Sequence, residues 1–184
     1  SGDKINLISL NDYNIKEPVE DGKSFTENSL LKARYYAKQT NLVSLSDDSG
    51  LVIPKINGMP GIYSARWADN GNDFPLGIKK IEQEIYKKNN NIPYLINDPA
   101  YFISAITIYF PESDTYKTYE ARLDGHLQYP PYGKGGFGYD PIFVAEGYNV
   151  TLAELSVEEK NKISHRAKAI KKLCEELLSP EFIG

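Results

Sequence analysis

Tyr101-Phe102-Ile103-Ser104-Ala105-Ile106-Thr107-Ile108-Tyr109-Phe110 is dominated by β-branched and aromatic side chains and predicts a strand. Pro111 to Asp114 supply a turn, and Tyr116 to Leu123 return with Tyr119, Ala121 and Leu123 on one face. The pair predicts an antiparallel hairpin. Around it, helical and strand patterns alternate, so the expected class is α/β, with a mixed β-sheet flanked by helices.

Moving toward the N-terminus, Phe74, Ile78, Ile81 and Ile85 are spaced by four, three and four. That spacing predicts an amphipathic helix starting near Asn72 or Asp73 and ending in Lys87 to Asn91. Gly58-Met59-Pro60-Gly61 reads as a turn. Leu42 to Leu45 and Leu51 to Ile53 read as two strands separated by Asp47-Asp48-Ser49-Gly50. Ser24-Phe25-Thr26-Glu27 has capping-box spacing and predicts a helix over 25–39. Asn11 to Gly22 reads as an exposed loop, and Lys4 to Leu10 as a short strand. Toward the C-terminus, Pro141 to Val144 reads as a short strand. Ser156 to Glu159 form another possible capping box. Ile163, Ala167, Ile170, Cys174 and Leu177 then form a helical stripe ending near Leu178. One helix from 157, or two with a break between 161 and 164, fit equally.

The 184 residues suit a single domain, and 41% apolar with 25% charged residues predicts a folded globular chain. The net charge of -4, with no long basic run, argues against a general nucleic-acid-binding face. The single cysteine, Cys174, excludes an internal disulfide; its place in the helical stripe suggests a core position, and a reducing cytoplasm fits. The longest apolar run, Ala100 to Phe110, is broken by Ser104 and Thr107 and is too short to span a membrane.

Three stretches could carry chemistry. Gly133-Lys134-Gly135-Gly136-Phe137-Gly138-Tyr139-Asp140-Pro141 combines glycines that permit close backbone approach with an aromatic face and a fixed acceptor. That set suits a planar, hydrogen-bonding ligand such as a nucleobase, although taken alone a glycine cluster is more often an ordinary surface turn. Asp47 and Asp48 are hard oxygen donors that alternate faces, suited to magnesium or to a solvated acidic turn. Glu27 could join them or serve only its helix cap. Lys160, Ser164, His165 and Arg166 gather cations and a hydroxyl near a helix start, which suits phosphate or a plain polar helix face. No zinc spacing, P-loop or nucleophile elbow is present, and His126 has no evident partner.

Five stretches in order carry a resemblance: Ser24 to Asn28, Ser46 to Leu51, Gly58 to Arg66, Gly135 to Pro141 and Ser164 to Ala167. Together they resemble the inosine triphosphate pyrophosphatase family, the Ham1-like non-canonical purine NTP pyrophosphatases, over about residues 4–178. The resemblance implies an elongated mixed sheet forming two lobes around a central nucleotide cleft. It implies Mg2+-dependent hydrolysis of ITP, dITP and XTP to the monophosphate and pyrophosphate by a homodimer; the cytoplasmic location and the lack of nucleic-acid and membrane partners are expected from the composition above. By the same resemblance, Asp48 is the general base and a metal ligand, and Glu27 is the second ligand. Ser49, Phe137, Gly138, Tyr139, Asp140, Lys160, His165 and Arg166 are expected to contact the substrate.

The family pattern opens with a strand, a Thr/Ser-Gly-Asn-x-x-Lys turn and a helix. Here Ser1-Gly2-Asp3 leads directly into Lys4 to Leu10, which resembles the family's second strand. The expectation is a single domain over 1–184 lacking that phosphate-binding element. This leaves two alternatives: a nucleotide-binding or structural protein without catalysis, or a related house-cleaning pyrophosphatase for other modified nucleotides.

Overall fold

The computed structural model describes residues 6–10, 13–90 and 97–178. Helix α1, Phe25–Thr40, starts where Ser24 holds extended backbone and its Oγ accepts the Glu27 amide at 3.1 Å. Its last turn closes through Asn41, in left-handed backbone at φ 55°, whose amide donates to Ala37 O.

Strand β1, Ser44–Val52, runs unbroken through Asp47-Asp48-Ser49-Gly50, where two strands and an intervening turn were expected. The four residues keep their ladder partners, from Asp47 opposite Ile106 to Gly50 opposite Ile103. Their polar side chains find partners on both faces of the sheet, so the polarity does not end the strand. After it, Pro60 follows a cis peptide and bridges to Val52, and the short helix α2, Ser64–Trp67, comes next. Helix α3, Phe74–Lys88, is capped by Asp73, whose Oδ1 accepts the Leu76 amide, and it buries Ile78, Ile81 and Ile85.

Strands β2, Pro99–Phe110, and β3, Thr115–Leu127, form the expected hairpin. A 3₁₀ turn, Asp140–Ile142, takes the first half of the expected strand Pro141 to Val144, and its second half lies in β4, Phe143–Ala145. The order is β1-β2-β3-β4, with every pairing among the described residues antiparallel. His126, expected in a turn, lies within β3 opposite Val144.

Helices α4, Val157–Ile163, and α5, His165–Leu177, are separated by Ser164 at ψ 147°. Ser164 ends one helix and caps the next, accepting the Ala167 amide at 3.1 Å. The break severs Ile163 from the expected stripe. Helix α5 then docks through Ala169 and Leu173, with Leu177 beside them, whereas Ile170 and Cys174 are exposed. The expected stripe and the core position of Cys174 are corrected by the way α5 is turned against the sheet. Residues 6–10 form no strand and leave Leu7 and Ile8 exposed; the first two positions of the expected strand lie outside the described residues.

The long hairpin runs through two cores. At one end α1 lies on one face, through Ala33 and Ala37 against Tyr109, and α5 on the other, through Ala169 and Leu173 against Ile106, Ile108 and Ala121. At the opposite end Phe102, Leu123 and Leu127 pack with α3 and with Ile142 and Phe143. Each fully buried aliphatic side chain contributes roughly 1.5–3 kcal/mol. The two lobes are thus joined by continuous strands.

Candidate functional site

Asp47 and Asp48 sit side by side in β1, and the pleat sends them to opposite faces. Asp48 faces α1. Its Oδ1 accepts Lys32 Nζ at 3.1 Å and its Oδ2 accepts Asn28 Nδ2 at 3.3 Å. Asn28 is fully buried, and its Oδ1 accepts the amide of Gly22 at 2.9 Å. One amide side chain thereby ties the loop before α1 to the carboxylate. A Cβ on Gly22 would lie 2.5 Å from Asn28 Oδ1, so the approach requires glycine.

That loop brings in Glu20, whose Oε1 lies 2.6 Å from the same Lys32 Nζ. The Arg66 guanidinium, from Gly61 to Arg66, donates to the Glu20 carbonyl and fixes the backbone there. Glu27 turns elsewhere: its Oε2 accepts the Lys23 amide at 2.7 Å, and its amide is held by Ser24. The carboxylate that shares a cation with Asp48 is Glu20. The resemblance points to Glu27 as the second ligand, whereas Glu20 lies in a loop with no local sequence pattern.

Burial raises the Asp48 carboxyl above its ordinary range, opposed by the Lys32 charge. Burial lowers Lys32, but Asp48 and Glu20 outweigh it and hold the ammonium above its usual value. Two carboxylates around one cation form a hard-oxygen site. Among the described residues no group of three or more His, Cys, Asp or Glu converges to hold a metal ion. Magnesium retains several waters and typically takes only one or two carboxylates beside substrate phosphates, so this donor set fits it.

On the other face, Asp47 Oδ1 accepts Ser49 Oγ and Ser104 Oγ, each at 2.6 Å. Its Oδ2 accepts Arg166 Nε at 2.9 Å and lies 2.8 Å from the terminal nitrogen Nη2. Ser49 therefore sides with Asp47 rather than with Asp48. One residue away, the His165 ring stacks on Phe102 with centroids 4.9 Å apart and planes at 8°. Its Nδ1 is buried without a hydrogen-bond partner among the described residues. Burial, then the Arg166 charge, lowers the imidazole to about 4, so it is neutral at physiological pH.

Lys160 reaches from α4 to Asp140 Oδ2, the same oxygen that accepts the Phe137 amide at 2.5 Å. Asp140 is 3% exposed and pins the glycine loop internally. At Gly136, φ is 76° and a Cβ would meet Asp140 Oδ2 at 2.2 Å, so only glycine lets the loop close on this carboxylate. Tyr139 is buried and donates to Ser64 O at 2.8 Å. Burial raises its phenol well above the ordinary value. Phe137 remains 69% exposed, touching Phe74 edge-on with centroids 4.9 Å apart.

The fold thus brings Asp47, Ser49, Phe137 to Asp140, Lys160, His165 and Arg166 into one connected set through the α4–α5 junction. Asp48, Glu20, Asn28 and Lys32 form a second set behind β1. One set offers an exposed aromatic face on a loop tied to Lys160 through Asp140, with Arg166 on Asp47, and the other a carboxylate pair around a cation. Glu20, Asn28 and Lys32 carry much of this geometry without a sequence signal for it, and Asp47, a magnesium candidate by sequence, is bound instead to Ser49, Ser104 and Arg166.

The Ham1 family profile matches residues 1–176. A dITP/XTP pyrophosphatase of Bacillus cereus is 42% identical over 182 residues, covering 98% of this chain and 86% of that one. A dITP/XTP pyrophosphatase of Zymomonas mobilis subsp. mobilis is 40% identical over 169 residues, covering 92% and 78%. Among solved structures, a HAM1 protein from Coxiella burnetii superposes with a TM-score of 0.82 at 35% identity, covering 91% of this chain and 83% of that one. The Ham1 protein of Staphylococcus aureus gives 0.80 at 35% identity, covering 94% and 86%.

Proposed function

The chain belongs to the Ham1 family, and on that premise we propose that it hydrolyses ITP, dITP and XTP to the nucleoside monophosphate and pyrophosphate. It is a nucleoside triphosphate pyrophosphatase that removes deaminated purines from the nucleotide pool. The observation that carries the reading beyond family likeness is the Glu20–Lys32–Asp48 cluster, a buried carboxylate held beside a second carboxylate and a cation.

In this reading Asp48 is the general base. It takes a proton from water as the water oxygen bonds to the α-phosphorus and the bond from that phosphorus to the bridging oxygen breaks, releasing pyrophosphate. Its partners Lys32 and Asn28 fix the carboxylate in place, and each oxygen retains lone-pair capacity for the water. Glu20 and Asp48 would hold magnesium, with Glu20 replacing Glu27 in that role because Glu27 is engaged at Lys23. Magnesium, when bound, neutralises triphosphate charge and stabilises the leaving pyrophosphate.

Phe137 supplies a stacking face for the purine, and Lys160, His165 and Arg166 surround the nucleotide with donors. A pocket that donates to a 6-keto oxygen leaves those donors unpaired against a 6-amino purine, which can discriminate by up to about 10⁴-fold. Gly138 and Tyr139 shape the loop, and Ser49 presents its oxygen from β1.

The same reading includes a homodimer acting in the cytoplasm. Exposed Leu42, Val43 and Leu45, at and just before the start of β1, support an association surface. Among the described residues no helix is long and apolar enough to cross a membrane. Pyrophosphate release from a panel of ITP, dITP, XTP, ATP and GTP with magnesium tests the function. Release from the first three well above the last two is expected; equal rates would overturn the specificity.

A further inference from the structure

We propose that Asp47 is a positioning residue that holds the Arg166 guanidinium ready for the nucleotide. The proposal rests on the reading in which Arg166 meets substrate. Arg166 stands near the start of α5 with its side chain about half exposed, and a free arginine there would sample many rotamers. Asp47 removes that freedom by taking both Nε and Nη2 on one oxygen, at 2.9 and 2.8 Å.

Asp47 is itself fixed. Its other oxygen accepts Ser104 Oγ, which is fully buried on β2, and Ser49 Oγ on its own strand. The chain of contacts runs from the sheet interior through Ser104 and Asp47 to the guanidinium, so strand geometry sets where the cation sits. Three N–H donors of Arg166 remain for a ligand once Nε and one Nη2 hydrogen are engaged. The Ser49 hydroxyl hydrogen is likewise committed to Asp47, so Ser49 offers a ligand its lone pairs.

Charge alone predicts the opposite consequence. A carboxylate beside the cations should repel a polyphosphate, so neutralising it would tighten binding. Positioning predicts weaker binding, and the sign separates the two. Asp47→Asn is the suitable variant. Its amide oxygen can still accept from both serines, while an N–H₂ replaces the oxygen facing Arg166.

The experiment measures KM and kcat for magnesium-dependent pyrophosphate release from ITP by wild type, Asp47→Asn, Arg166→Gln and the double variant. NMR of the nucleotide-free proteins follows the Arg166 Nε–H resonance. Asp47→Asn is expected to raise KM about tenfold with kcat within about twofold. In the Arg166→Gln background it should add less than about twofold, because the two act as one unit. The Nε–H signal, protected in wild type, should collapse into fast exchange in Asp47→Asn. An unchanged or lower KM, a full cost in the Arg166→Gln background, or a retained signal overturns the proposal. If Asp47→Asn does not fold, Ser104→Ala replaces it, with about a threefold KM rise expected and no rise contradicting. Wild type inactive on ITP would sink the functional reading alone, since the Nε–H signal still decides whether Asp47 holds Arg166.

Discussion

Asp47 and Asp48 are neighbours in the chain that serve opposite faces of β1: Asp47 binds Arg166 of α5, and Asp48 binds Lys32 of α1. The alternation of a single strand thereby couples two side-chain sets, one joined to the arginine of α5 and the other built on paired carboxylates.

Lys32 bridges Glu20 and Asp48, and Asp48 is 8% exposed. Lys32→Met leaves that carboxylate buried without its cation. A loss of about 2 kcal/mol in chemical denaturation is expected, below the 3–5 kcal/mol of a fully buried pair because Glu20 is partly solvated. Added magnesium should restore part of the loss by binding the folded state alone. A variant as stable as wild type would show that the bridge contributes little.

Much of the architecture was legible because it is local. Ser24, Asp73 and Ser156 mark their helix starts by sequence spacing, and the β2–β3 hairpin announces itself by composition. What could not be read was long-range or phase-dependent. Asp47 and Arg166 lie 119 positions apart. The docking of α5 on β2 and β3 turned Ala169 and Leu173 inward in place of Ile170 and Cys174. Glu20 lies in a loop placed by Asn28 and Arg66, whereas only half of the expected capping box forms: Ser24 accepts the Glu27 amide, but the Glu27 carboxylate accepts the Lys23 amide.

His165 has a folded-state pKa of about 4, set first by burial, against 6.5 when unfolded. The unfolded chain binds more protons in that window, so stability is fully present above about pH 6.5 and is lost as pH falls toward 4. His165→Phe keeps an aromatic ring on Phe102 and removes the titration. Its Tm should fall less than that of wild type between pH 6.5 and 4. Parallel curves for the two proteins would argue against a buried neutral imidazole.

Phe137 is 69% exposed and contributes little to the core. Phe137→Ala should leave Tm nearly unchanged while weakening ITP binding by about 1–3 kcal/mol, the range for losing one base–aromatic stack. Calorimetry with a non-hydrolysable ITP analogue and magnesium measures this directly. Wild-type affinity in the variant would remove Phe137 from the base site.

The general-base role of Asp48 is tested most directly by single-turnover pyrophosphate release from ITP with magnesium, comparing wild type with Asp48→Asn. Asparagine is nearly isosteric and can still accept a hydrogen bond from Lys32, so circular dichroism should show the fold retained. The expected result is a fall in turnover of about 10²–10⁴-fold, the usual contribution of a general base. Wild-type turnover in a folded Asp48→Asn protein would contradict the account.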